Sequence, residues 1–394
     1  TFMGPISMRI ALAHSRNIPA VKTAQLAGVP NILDLARKMG IALNQPDDWY
    51  GLSLALGAGE ARLLDMVLAY SVFASGGYKV EPVAILKVED RNGNILEEYE
   101  PPEERELILD PQAAYLINHV LSDVQARPEG FWRDRHTLPG QINAAKTGTS
   151  NKEKKNPAYN PKDPDSREFI AVPSDAWSFG YTTDLVTGVW AGNSDGTPLK
   201  DYGGGVNTAS PIWYDFMVKA TAGRPTTHFE RPEGIRFIKV TKKSGKLPSE
   251  HTPDEDVITD IFANFSVPRD LDDSYEEVEI DRVSGKLATE FTPPEAREEK
   301  GFFRHQELID DPNWTEGIAK WIKENPQNEE RPKEYDDVHT AETAALKPEI
   351  RIISPVAESL VSPPYIGVVT DIESVRPITK VEYYWDDKLV ETAS

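Results

Sequence analysis

The stretch that most constrains this chain is Ala144-Ala145-Lys146-Thr147-Gly148-Thr149-Ser150, a Lys-Thr-Gly-Thr run that begins just after the apolar Ile142. It reads as a strand. Four adjacent residues then offer a cation, two hydroxyls and one position without a side chain, where another backbone can approach closely. That combination suits the anionic end of a peptide. Taken alone, the run fits a solvated edge strand better than a binding site. The following residues supply the rest of a sheet. Asp175 to Tyr181 alternates with period two, Thr182-Thr183-Asp184 turns the chain, and Val186 to Trp190 returns as an antiparallel partner. Between them, Asn151 to Ser174 is polar and rich in Pro, Asn and Lys, which predicts a long functional or mobile loop beside the strand.

Upstream, Pro5 to His14 has helical apolar spacing. Pro19 fits the first turn of a helix that runs to Leu26 and closes at Gly28, and Pro30 opens another that Gly40 ends. Ser15 and Asn17 therefore sit at a helix–helix junction, where they either point into a cleft or cap the helix starting near Ile18. Ala61 to Ala74 reads as an amphipathic helix burying Leu63, Leu64, Val67, Leu68 and Phe73. Val83 to Val88, Asn92-Gly93 and Ile95-Leu96 spell a hairpin, and Asp110-Pro111 opens a helix over Gln112 to Val124. Ser210 reads as an N-cap, with Pro211 at the first position of a last helix. We place the first domain at 1–222.

From Gly223 the chain turns acidic and proline-rich. Ser244-Gly245-Lys246-Leu247 with Thr252-Pro253 recurs as Ser284-Gly285-Lys286-Leu287 with Thr292-Pro293, each copy a small strand-turn-strand. Residues 223–345 thus read as a β-rich appendage, with Glu324 to Asp337 as a linker. Pro348 to Val356 and Lys380 to Val390 alternate like sandwich strands about an Asp386-Asp387 turn, so 346–394 reads as a partial immunoglobulin-like domain. A formal charge of −21 argues against nucleic acid as a partner. No apolar run reaches the roughly 20 residues that span a bilayer. The seven histidines, His14 among them, show no metal-ligand spacing, so no metal and no cofactor are expected. Thr1 is not a start methionine and Ser394 interrupts a strand-like pattern, so a piece of a longer chain is expected.

Ile10 to Val21, with Ser15-Arg16-Asn17 at its centre, resembles the Ser-x-Asn region of class A penicillin-binding proteins. So do Leu54-Ala55-Leu56-Gly57 with Ala69 to Ala74, the Lys146 strand, Asp175-Ala176-Trp177 with Phe179 to Thr182, and Thr208 to Trp213. The resemblance covers roughly the first 220 residues. It implies an α+β transpeptidase fold, an antiparallel sheet flanked by helices, and a serine-type D,D-transpeptidase that cross-links peptidoglycan stem peptides at D-Ala-D-Ala. It further implies that Ser15 relays a proton, that Asn17 binds substrate backbone, and that Lys146 supplies positive potential. Thr147 and Thr149 would hold the substrate carboxylate, the Thr149 N–H would form half of an oxyanion hole, and Gly148 would make room for the peptide. Stem peptides, a lipid-linked precursor and β-lactams are the implied partners, at the extracytoplasmic face of a bacterial membrane. Two departures stand out. No Ser-x-x-Lys precedes Ser15, so the nucleophile, a glycosyltransferase domain and a membrane anchor are expected upstream, and Ala145 replaces a glycine common in relatives. A carboxypeptidase or β-lactamase-like hydrolase, or a non-catalytic wall-binding protein, are the alternatives.

Overall fold

A computed structural model of the chain describes all residues except 1–2, 164–165, 201–202, 306–308, 310, 326–329, 345–347, 362–365, 375–377, 379 and 394. It divides into two compact units, Thr1–Asp272 and Asp273–Ser394.

The first unit opens with α1 (Met8–Ala13), α2 (Asn17–Ala27) and α3 (Val29–Lys38). Gly28 joins the last two at φ 79°, a conformation that costs glycine little, and Gly40 follows α3 at φ 96°. α4 (Leu63–Ala74) buries Asp65, Ala69 and Val72, one stripe at helical spacing. Leu63 and Leu64 lie off that stripe and are exposed, contrary to the sequence expectation. β1 (Lys87–Glu89) and β2 (Ile95–Glu98) form the expected hairpin, with Gly93 at φ 83° in its turn. Only the end of the expected first strand takes part, since 83–86 lie outside it. α5 (Pro111–Ser122) is capped by Asp110, whose Oδ1 accepts the Gln112 N–H at 2.7 Å, and α6 (Phe131–Arg135) follows.

β3 (Ala144–Lys155), β4 (Phe169–Tyr181) and β5 (Val186–Gly192) form one antiparallel sheet in that order. The expected loop from Asn151 to Ser174 is shorter than the sequence suggests: its two ends, 151–155 and 169–174, are strand, and 156–168 connect them. Past a bulge at Ser150/Asn151, Lys152 to Lys155 keep pairing with Val172 back to Phe169. Backbone pairing asks nothing of side-chain polarity, so charged residues extend an exposed ladder as well as apolar ones do. Residues 164–165 of that stretch lie outside the described residues.

α7 (Gly205–Thr221) crosses the sheet, and here the cap reading fails. The N-cap is Gly204, while Ser210 and Pro211 lie inside the helix. Ser210 Oγ lies 3.1 Å from the Gly205 carbonyl, and the helix runs on past a proline that removes one backbone donor. The sheet is covered on both faces. Leu121, Ala144 and Tyr181 pack with Leu12, Tyr70 and Phe73 on one side, and Leu138, Trp213 and Met217 pack with Ala145 and Val189 on the other. β6 (Arg236–Thr241) and β7 (Val257–Phe262) form the first Ser-Gly-Lys-Leu hairpin. Arg9 ties it to the helices by pairing with both Asp123 and Asp260.

In the second unit, β8 (Tyr275–Asp281) and β9 (Arg297–Phe303) repeat that hairpin. The turn is the same: Gly245 and Gly285 sit at φ 72° and 70°, and the N–H of Thr241 or Asp281 donates to the Lys246 or Lys286 carbonyl at 2.9 or 2.8 Å. α8 (Pro312–Glu324) and α9 (Ala341–Ala344) follow. The expected linker is partly ordered structure. Glu324 closes α8, and Tyr335 bridges Leu287, because the backbone of Glu334 and Asp336 satisfies that of Leu287; residues 326–329 lie outside the described residues. β10 (Glu349–Ser354) pairs with β11 (Val369–Glu373), and β12 (Val381–Trp385) with β13 (Lys388–Ala393) through the expected Asp386-Asp387 turn. Among the described residues these are two separate two-stranded ladders, with Ile350, Ile352, Tyr384 and Trp385 exposed and not buried in a sandwich core.

Candidate active site

Ser15 is the one residue between α1 and α2 that turns left-handed, at φ 53°. That is uncommon for a residue with a side chain. α2 carries no side-chain cap, its N-cap being Arg16, so capping is not what Ser15 and Asn17 do. Lys146 reaches the junction from β3: its Nζ donates to Ser15 Oγ at 2.6 Å and to the Thr147 carbonyl at 2.7 Å. Burial pulls the ammonium down to about 8. A lysine that loses its proton so near neutrality, bonded to a hydroxyl, can pass a proton through that hydroxyl. Asn17 is the exposed first residue of α2.

Strand alternation sends Lys146 and Gly148 to one face of the sheet and Thr147 and Thr149 to the other. On the first face Phe179, cross-strand from Lys146, stacks on Tyr70 with ring centroids 4.7 Å apart, and burial holds the Tyr70 phenol near 12. On the second face Thr147 is buried and Thr149 is exposed. Thr149 Oγ1 accepts the Gly205 N–H at 3.0 Å, so its hydroxyl stands at the positive end of the α7 dipole. Gly205 allows this approach, since a Cβ there would lie 2.5 Å from the Gly148 carbonyl. A Cβ on Gly148 would make only an ordinary 3.5 Å contact with Trp177, so packing alone does not demand glycine there. Among the described residues β3 is an edge strand, with no strand paired to its outer side.

Two supports escaped the sequence reading. His136, almost wholly buried, receives its Nε2 contact from Ser210 Oγ at 2.9 Å and reaches the Trp132 carbonyl through Nδ1 at 2.8 Å. Burial pushes this imidazole down to about 4, so it is neutral at pH 7. Ser210 Oγ also lies 3.4 Å from Ser178, the cross-strand partner of Thr147. Arg127 is buried too, donating to the carbonyls of Leu121 and Asn143 at 2.8 Å each and fixing the entry to β3. Neither carries a spacing signal, because each depends on residues far apart in the chain.

Residues 2–217, more than half of the chain, match the family described as the penicillin binding protein transpeptidase domain. Penicillin-binding protein 1A of Rickettsia conorii is 30% identical over 267 residues, covering 62% of this chain and 30% of that protein. Its namesake in Aquifex aeolicus is 32% identical over 247 residues, covering 63% and 30%. This chain thus spans under a third of the length of these relatives. The crystal structure of Penicillin-Binding Protein 1A from Haemophilus influenzae superposes with a TM-score of 0.56 at 23% identity, over 69% of this chain and 42% of that one, which shows the fold. The chain belongs to the penicillin-binding protein transpeptidase family.

Proposed function

We propose that this chain forms two walls of a D,D-transpeptidase cleft that cross-links peptidoglycan stem peptides by serine acyl transfer from D-Ala-D-Ala, and that β-lactams occupy the same cleft. The bond from Lys146 Nζ to Ser15 Oγ carries the reading, because it joins the strand to the helix junction through a cation that shares its proton near neutrality. Ser15 relays that proton to the leaving amine, and Asn17 hydrogen-bonds the substrate backbone. Thr149, at the start of α7, takes the substrate carboxylate with Thr147 beneath it, and the peptide lies along the Gly148 edge. The attacking serine comes from a Ser-x-x-Lys outside residues 1–394, together with a membrane anchor and a glycosyltransferase domain that uses lipid-linked precursor on the extracytoplasmic face. Residues 1–222 are the transpeptidase portion and 223–345 an appendage; the alternation in 346–394 supports an immunoglobulin-like reading.

Labelling of the full-length protein with a fluorescent penicillin tests this. Lys146→Ala should slow acylation by about 100-fold or more, the scale of a lost general acid–base group. Unchanged labelling would remove Lys146 from the site, and rapid turnover of the penicillin in place of a long-lived adduct would mark a hydrolase.

A further inference from the structure

The second Ser-Gly-Lys-Leu hairpin carries a cluster that the first lacks. β8 ends on Asp281, and the segment returning beside Leu287 brings Asp336 and His339 to it. One carboxylate oxygen from each aspartate and a ring nitrogen of His339 all lie within 4.8 Å of one another. His339 Nδ1 is 2.8 Å from Asp336 Oδ2 and 3.4 Å from Asp281 Oδ1.

The two carboxylates are not equally served. Asp336 accepts the backbone N–H groups of Val338 and His339 at 2.9 and 3.2 Å and the Thr292 hydroxyl at 2.7 Å. Asp281, with 0% exposure, takes the Ser284 N–H at 2.7 Å on Oδ2, but its Oδ1 is buried without a hydrogen bond. His339 Nδ1 lies nearer to Asp336 Oδ2, at 2.8 Å, than to this oxygen, at 3.4 Å. A carboxylate oxygen withdrawn from water calls for a donor or a cation. Here two buried carboxylates face a single imidazole. The first hairpin serves as an internal comparison: Thr241 stands where Asp281 does and Asp272 where Asp336 does, as the matching backbone bonds to Leu247 and Leu287 show, so that copy offers one carboxylate instead of two.

We propose that Asp281, Asp336 and His339 bind a divalent metal ion of the zinc class, which pins the second hairpin to the segment around 334–339. One imidazole nitrogen with two carboxylates is a donor set that such borderline ions accept. The separations of 2.8 and 3.4 Å lie close to the roughly 3.3 Å between ligands of a tetrahedral zinc site. With the ring proton on Nε2, Nδ1 and the two facing oxygens supply three ligands, and solvent beside the partly exposed His339 supplies a fourth. Histidine spacing does not reveal the site, because its ligands come from a strand end and a returning segment.

The test titrates Zn²⁺ alone into the 394-residue chain by calorimetry, beside His339→Gln and Asp281→Asn. One ion per chain is expected at this site, weakened by at least about 10-fold in either variant. Thr241→Ala, at the matching position of the first hairpin, should leave binding unchanged. In the unsubstituted chain Zn²⁺ should shield His339 from diethylpyrocarbonate and leave the exposed His228 and His251 reactive, a measurement that needs no variant to fold. Absence of Zn²⁺ binding, binding indifferent to both ligand substitutions, or a His339 that stays reactive at saturation would each overturn the assignment.

Discussion

Lys146 is held where its charge is costly, and that cost has a sign. Its folded pKa of about 8 lies below the ordinary 10.5, so between those values the unfolded chain binds the extra proton and the folded chain does not. The stability tied to neutral Lys146 is complete above about pH 10.5 and is lost as pH falls towards 8. From pH 8 to 9.5 the gain should be on the order of 2 kcal/mol. Urea unfolding at the two pH values should show this gain in the native sequence and not in Lys146→Met; equal gains would mean that the ammonium is not buried as described. The left-handed Ser15 belongs to the same account, since a glycine would suit its φ of 53° better but would leave Lys146 Nζ without its hydroxyl partner.

α7 is the element that links β3 to the core. Its first N–H is held by Thr149 on β3, and one turn and a half later Ser210 spans from the Gly205 carbonyl to His136. A proline inside such a helix is tolerated because tertiary partners surround it: Trp213 and Met217, just beyond Pro211, are fully buried. Ser210→Ala should cost about 1–3 kcal/mol at pH 7, since it leaves Nε2 of a buried neutral imidazole without a donor. Chemical denaturation measures this, and a change under about 0.5 kcal/mol, the range of an ordinary surface substitution, would show that the network adds no net stability.

At the scale of the molecule, the first Ser-Gly-Lys-Leu hairpin belongs to the same compact unit as the sheet, although its sequence resembles the second hairpin. Arg9 accounts for much of this, with a guanidinium that is 14% exposed and paired with Asp123 and with Asp260 of β7. Arg9→Ala should destabilise the first unit by about 2–3 kcal/mol, because it leaves two half-buried carboxylates without their cation. Hydrogen exchange should show β6 and β7 losing protection more than β3 to β5; uniform loss would mean that the hairpin is not held by this contact.

Local chemistry made several elements legible in advance. Asp110 before Pro111, Gly28 between two helices, Asn92-Gly93, the alternation of Asp175 to Tyr181, and the repeated glycine turns are each decided by a few neighbouring residues acting through backbone sterics or a single cap. The Lys146 strand and the Ser15 junction were legible from local residues too, and only the roles of their side chains came through resemblance. Other features required the folded chain. Pro211 remained within its helix, polar Lys152 to Lys155 became strand, Leu63 and Leu64 stayed exposed, and His136, Arg127 and the Asp281 cluster acquired their partners. The sequence by itself determined the features set by neighbours along the chain, where one dihedral preference or one hydrogen bond dominates. Only the tertiary structure decided which distant groups share a buried volume, because desolvation and cross-strand pairing depend on what packs above a residue and not on what precedes it.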